Sequence, residues 1–333
     1  MASVHPSALD RRNFLKGAAA GLVLLPHVDF GLTGLRSVRR PSTVALIRTS
    51  SRRDGVARAW ALLNPTGMAG KDVVLKPNFN SSDGGPAGTH DDTLSQVVTE
   101  ILERDARSIT LGESSGPSGT SSVLDTKGTM DLAQDMGFGV VNFDDMPDDD
   151  WVHVVPPGTH WPEGFHLPRM VTDAEYMVSA CCLKTHGSGG VFTMSMKLSV
   201  GLTPRPIRRG MHRSPDMRRM IAELNQGYSP DLIILDGIEA FTDGGPSRGT
   251  LKQGNVMIAG TDRVAVDAVG LAVLKELGSN DAIMGTPIFA QEQMARAVEV
   301  GLGVSGPDEI TLVSDDDEGH AYAEVLKGVL AEG

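Results

Sequence analysis

The chain has 333 residues and a mass of 35.2 kDa, with 30 Lys and Arg against 42 Asp and Glu and a formal net charge of -12. An acidic chain with no Lys/Arg stripe interleaved with aromatics repels a polyphosphate backbone, so nucleic acid is excluded as a partner. Apolar residues make up 40% and the mean hydropathy is -0.09, enough for a large core and too little for a polytopic membrane protein.

The N-terminus reads as an address. Arg11-Arg12-Asn13-Phe14-Leu15-Lys16 precedes an apolar run from Gly17 to Pro26. It resembles a twin-arginine export signal, with Asp10 where Ser or Thr is usual. The run is too short to span a bilayer as an ordinary transmembrane helix. The resemblance implies passage through the twin-arginine translocase and residence in the periplasm or cell exterior. Processing is expected within 27–42, since no clean Ala-x-Ala marks the cut; left uncleaved, the signal would be an anchor. No other segment reads as a membrane span. The expected organisation is a signal and linker over 1–42 and one large α/β domain over 43–333.

Beyond residue 42, apolar runs of strand type alternate with amphipathic stretches. Strands are expected at Thr43–Thr49, Asp72–Lys76, Ser108–Gly112, Val140–Phe143, Tyr176–Leu183, Asp231–Leu235, Asn255–Ala259 and Glu309–Val313. Helices are expected at Gly55–Leu63, Asp91–Glu103, Leu124–Met136, Pro215–Asn225, Arg263–Leu277, Ile288–Val300 and His320–Leu330. This alternation predicts an α/β fold: a mostly parallel sheet with helices on both faces, carrying irregular loop insertions. Trp151–Pro168 reads as an irregular excursion or small β insertion, and residues 187–214 as a long Gly/Pro/Arg segment. The only cysteines, Cys181 and Cys182, are adjacent. That pattern provides neither a disulfide framework nor the four thiolates of an iron–sulfur cluster, and reads as two small buried residues of a strand.

The polar residues are placed informatively. Apolar runs end in Lys76-Pro77-Asn78, in Gly112-Glu113-Ser114-Ser115-Gly116, in Lys184-Thr185-His186-Gly187, in Asp236-Gly237 and in Gly260-Thr261-Asp262. The carboxyl ends of parallel strands share one edge, and ligands bind outside it. Positions i and i+2 of an extended chain face the same way, which pairs Lys76 with Asn78 and Lys184 with His186. Pro77 favours extended backbone at Lys76. Gly187-Ser188-Gly189-Gly190 would offer backbone N–H groups to the same anion, and Lys197 more charge. His186, Lys184 and Glu113 are therefore candidate catalytic groups. Lys76, Asn78, Thr89, Gly187, Gly189 and Lys197 are candidate ligand- or cofactor-binding groups. Asp236, Asp243 and Asp262 are candidate ligands of a divalent metal. Each has a plainer reading: Lys76 neutralising Glu113, Asp236-Gly237 as a turn, Asp262 as the N-cap of the helix from Arg263. The loop Asp83-Gly84-Gly85-Pro86 is echoed by Asp243-Gly244-Gly245-Pro246, either as shared turn chemistry or as two loops lining one cleft. No Gly-x-Ser-x-Gly elbow, Walker A or Gly-x-Gly-x-x-Gly follows a strand, so the common hydrolase, NTPase and dinucleotide readings lack support.

Taken together, Lys76-Pro77-Asn78, the Gly-rich loop ending in Thr89, Glu113-Ser114, Lys184-Thr185-His186, Met196–Gly201, Asp236-Gly237 and Asp262–Asp267 resemble the family called domain of unknown function 362, over roughly residues 43–312. Many relatives carry a ferredoxin-like insert with two four-iron clusters, whose cysteines are missing here. The family pattern has Asn after the lysine where Leu198 follows Lys197. The residues favour an exported enzyme acting on a small anionic substrate, with or without a metal. The alternatives are a non-catalytic extracytoplasmic binder of an anion or metal complex, and an accessory partner of a redox enzyme.

Overall fold

A computed structural model describes residues 41–332; the N-terminal stretch expected to act as a twin-arginine signal lies outside them. In chain order the strands are β1 (Ser42–Arg48), β2 (Asp72–Pro77), β3 (Ser108–Glu113), β4 (Gly139–Asn142), β5 (Trp151–Val154), β6 (Phe165–Pro168), β7 (Tyr176–His186), β8 (Val191–Thr193), β9 (Leu232–Gly244), β10 (Gly249–Gly260) and β11 (Ile310–Val313). The helices are α1 (Arg52–Leu63), α2 (Asp91–Leu102), α3 (Thr120–Thr126), α4 (Thr129–Met136), α5 (Arg169–Thr172), α6 (Arg205–Met211), α7 (Met217–Leu224), α8 (Arg263–Glu276), α9 (Asp281–Met284), α10 (Glu292–Glu299) and α11 (Asp317–Glu332).

A nine-stranded sheet runs in the order β11-β1-β10-β9-β7-β2-β3-β4, with β8 folded back on β7. β9, β7, β2, β3 and β4 are mutually parallel. β10 runs against β9 and β1, and β8 against β7. The sheet is thus mixed and mostly parallel, with helices packed around it. Alternation along single strands shows burial on both faces. Val44 and Leu46 of β1 pack with Val264 and Val269 of α8, while Ala45 and Ile47 pack with Val56, Ala59 and Trp60 of α1. β7 lies at the centre, and all eleven of its residues are buried. Cys181 and Cys182 sit in it as free thiols whose pKa burial raises.

Local sequence sets the helix ends. Ser51 caps α1 by accepting from the Asp54 N–H, and α1 stops at Asn64, which has a left-handed φ of 44°. The helix expected over Leu124–Met136 is broken in two, because Gly128 adopts a left-handed φ of 63° between α3 and α4. Trp151–Pro168 forms an antiparallel pair, β5 with β6, the small β insertion foreseen.

Two expectations about strand ends need correction. β10 is antiparallel, so Gly260-Thr261-Asp262 lies at the opposite sheet edge from the ends of β2, β3 and β7. β9 does not end at Asp236: it continues to Gly244, pairing Asp236 with Cys182 in mid-strand and Phe241 with Lys184. Runs of apolar residues look alike whichever way a strand points, which is why composition missed both.

Candidate functional site

At the carboxyl edge of β2, β3 and β7 a cavity of about 560 Å³ opens, within the size range of small-molecule sites. Its floor is the ends of those strands. Its roof is the chain from Gly187 through Arg213, which turns through β8, a 3-10 segment at Met196–Leu202 and α6. Seven lysine and arginine side chains line it against a single carboxylate, Glu113.

The floor is tightly bonded. Lys76, 1% exposed, donates to Glu113 Oε1 at 2.6 Å and to the Pro77 carbonyl at 2.6 Å. Glu113 also accepts from the N–H groups of Phe79 at 2.9 Å and Ser114 at 2.8 Å. Desolvation draws the Lys76 pKa down against the pull of Glu113. Gly201 covers this pair: a Cβ there would stand 3.1 Å from both Glu113 Oε1 and Lys76 Nζ. Lys184 is fully buried and donates to Asn78 Oδ1 at 2.7 Å, to Pro86 O at 2.9 Å and to Ala87 O. An ammonium has three donors, and all three are used here. Its job is to tie the β2–α2 loop to β7.

The two echoed loops both grip this strand end. Pro86 and Ala87 hold Lys184, while Gly245 accepts from the Gly187 N–H at 3.2 Å. Both loops contain a cis Gly-Pro bond. Asn80 Nδ2 joins them by donating to Ser247 at 3.1 Å. Pro246 and Ser247 reach the cavity wall, so the echo includes cleft lining on one side and lysine anchoring on the other.

The roof is different. Lys197, 8% exposed, has no hydrogen-bond or ion-pair partner among the described residues. Burial, aided by the charge of Lys184, brings its pKa down to about 7. His186 is 6% exposed, and its Nδ1 is buried without a partner. Burial first, then Lys197, His212 and Lys184, push its pKa to about 2, so the ring is neutral. Both side chains flank Gly190, where a Cβ would stand 2.9 Å from Lys197 Cε and 3.0 Å from His186 Nδ1. Val191, next in sequence, has φ of 62°, unusual for a β-branched residue. Arg208 of α6 donates to neutral oxygens only: Thr203 O at 2.7 Å, Ser114 O at 3.1 Å, Ser115 O at 2.9 Å and Ser114 Oγ. Arg205 pairs with Asp144 at 2.7 Å. Arg209 and Arg213 are exposed at the mouth with no acidic partner among the described residues.

The backbone beneath Lys197 is fixed from the far side. Asp267, fully buried in α8, accepts from the Ser195 N–H at 2.8 Å, the Ser195 hydroxyl at 2.6 Å and the Met196 N–H at 3.1 Å. Burial raises its pKa to about 6 against these bonds. Arg263, one turn earlier in α8, does not pair with Asp267 but donates to Asn225 and Tyr228.

The cavity therefore gathers Lys76, Asn78, Glu113, Lys184, His186 and Lys197. It leaves out several candidates. Thr89 is fully buried, accepting from the Asn78 N–H at 2.7 Å and donating to Ala180 O at 2.8 Å, which stitches the loop to β7. Gly187 uses its N–H within the fold, and the Gly189 carbonyl accepts from Arg218 at 2.9 Å. The three aspartates do not meet. Asp236 pairs with Arg52 at 2.9 Å and accepts from Thr93 at 2.7 Å. Asp243 lies seven residues further along β9, roughly 20 Å at strand spacing, bonded to Asn280 at 3.1 Å. Asp262 caps α8 through the Val264 and Ala265 N–H groups at the far edge. Among the described residues no three His, Cys, Asp or Glu are grouped to hold a metal ion. The arginines Arg205, Arg208, Arg209 and Arg213 were not singled out from sequence. Their density in 205–213 was the available signal.

The family model described as Domain of unknown function (DUF362) matches residues 73–272. A thylakoid-associated protein of Synechocystis sp. is 25% identical over 292 residues, covering 81% of this chain and 86% of that protein. The lactate racemase apoprotein from Thermoanaerobacterium thermosaccharolyticum, a solved structure, aligns with a TM-score of 0.46 at 14% identity over 85% of each chain.

Proposed function

We propose, from the premise that the chain belongs to the DUF362 family, that it is an enzyme acting on a small anionic substrate in this cavity. One observation carries the reading. Lys184, Lys197, Arg208, Arg209 and Arg213 face one cavity, and none of them has a carboxylate within ion-pair distance among the described residues, although Arg208 feels the charges of Glu113 and Asp144. In a chain of net charge -12, that local excess of positive charge is costly unless an anion completes it. Arg209 and Arg213 attract the anion at the mouth and Lys197 meets it inside. Asn78 leaves its Nδ2 donors to orient it, since its Oδ1 is taken by Lys184. His186, neutral at pH 7, and Lys197, about half protonated there, flank Gly190 and supply a proton acceptor and a proton donor. Lys184 and Glu113 support this arrangement from the floor and do not take part in proton transfer, because their polar atoms are already bonded.

A divalent metal is left out of the reading, since the carboxylates expected to bind it serve as cap, ion-pair partner and loop anchor elsewhere. The N-terminal segment supports delivery across a membrane by the twin-arginine translocase. No helix among the described residues is long and apolar enough to cross a membrane. Export is tested by replacing Arg11 and Arg12 with Lys and fractionating cells: retention in the cytoplasm is expected, and unchanged export would refute it.

A calorimetric and thermal-shift screen with sulfate, phosphate and small mono- and dicarboxylates tests the anion reading. Stabilisation by at least one anion is expected, weaker at high salt. No response to any of them contradicts it.

A further inference from the structure

The geometry points to a more specific chemistry for the same cavity: we propose that the Lys197 amine is a nucleophile that forms an imine with the carbonyl of a 2-oxo carboxylate. The inference rests on the anion reading, since the cations must hold the carboxylate. It goes further by giving one amine a covalent role.

Three observations set Lys197 apart from the other lysines of the cavity. Lys76 and Lys184 have their ammonium protons committed to Glu113, Asn78 and backbone carbonyls, so neither has a lone pair to offer. Lys197 donates to nothing among the described residues and still borders the cavity. Its backbone is held by Asp267 through Ser195 and Met196, so the amine is presented from a fixed base. Burial, with the charge of Lys184, also leaves about half of the amine unprotonated at pH 7, where an ordinary lysine is almost wholly charged. His186, on the other side of Gly190, has an unpartnered Nδ1 to relay a proton.

The step balances without an oxidant or reductant. The Lys197 nitrogen attacks the carbonyl carbon, and the C=O pair moves to oxygen. One nitrogen proton passes, through His186, to that oxygen and gives a carbinolamine. A proton from solvent then lets the hydroxyl leave as water and gives the protonated C=N, which returns its nitrogen proton to solvent to leave the imine. The carboxylate next to the carbonyl is the group the arginines recognise, and it keeps simple aldehydes from competing.

The test is reductive trapping. Full-length protein is incubated with pyruvate or glyoxylate and sodium cyanoborohydride, which delivers hydride to C=N, and the site is mapped by peptide mass spectrometry. One adduct at Lys197 is expected, formed about a hundredfold faster than at exposed lysines near pH 7, because far more of its amine is unprotonated. Labelling rises as pH rises through about 7, and sulfate suppresses it. Lys197→Arg, which keeps the charge, removes the adduct, with Lys197→Met as the second variant should the first fail to fold. Adducts spread over surface lysines, or none at Lys197, overturn the imine. If sulfate still binds in that case, the anion reading survives alone; if neither occurs, both fall.

Discussion

Floor and roof of the cavity are both rich in cations, yet they are built on opposite terms. Below, Lys76 and Lys184 are buried on strands β2 and β7 with acceptors for their protons. Above, Lys197 on the 3-10 segment, Arg209 in α6 and Arg213 just beyond it have none among the described residues. Charge that is fully hydrogen-bonded holds a fold in register, and charge left over is available to a ligand. The same residue type thus serves stability at position 184 and chemistry at position 197, and neighbouring acceptors decide which.

Mutations should separate the two layers. The largest loss is expected from Glu113→Ala. It strands the Lys76 ammonium in the interior and removes the acceptor of two backbone N–H groups, costing about 3–5 kcal/mol. Urea unfolding reads this directly, and a loss below about 1 kcal/mol would mean that the floor is not structural. Lys184→Met comes next, at about 2–3 kcal/mol, since three oxygens lose their donor.

Lys197→Met should act in the other direction on stability. The folded pKa of about 7 lies below the ordinary 10.5, so the unfolded chain holds more protons between those values. The native protein then gains stability as pH rises through that window, and below about 7 it bears the full cost of the buried amine. Removing the amine flattens that rise, which paired denaturation curves near pH 7 and near pH 9.5 would reveal. Arg209→Ser with Arg213→Ser should leave unfolding unchanged and weaken sulfate binding by about three- to tenfold at low salt, an effect that fades as ionic strength rises. A variant that unfolds instead would put these arginines in the floor's class.

Much of the frame was legible because doubly buried strands are continuous apolar runs, as Val73-Val74-Leu75 and Leu232–Leu235 are. The polar groups ending β2, β3 and β7 were legible for the same reason, since a run must stop somewhere and its stop is written in charged residues. What escaped the sequence is non-local. The acceptors of Lys184 are main-chain carbonyls near residue 86, and no composition rule announces that a carbonyl will be there. The direction of β10 changes which edge Asp262 occupies without changing a letter. Arg205 to Arg213 face the cavity only because the chain after β8 folds back over the strand ends. Thr89 shows the converse: a residue of apt chemistry in an apt loop becomes a stitch when its hydroxyl meets Asn78 and Ala180.

The account is tested most directly by calorimetric titration of sulfate into wild type and Lys197→Met from about pH 6 to about pH 8.5. The account predicts that wild-type affinity strengthens as pH falls through about 7, where the amine gains its proton, and that the variant binds about tenfold more weakly at the acid end with a flat profile. Identical pH profiles in the two proteins, or no sulfate binding by either, would contradict it.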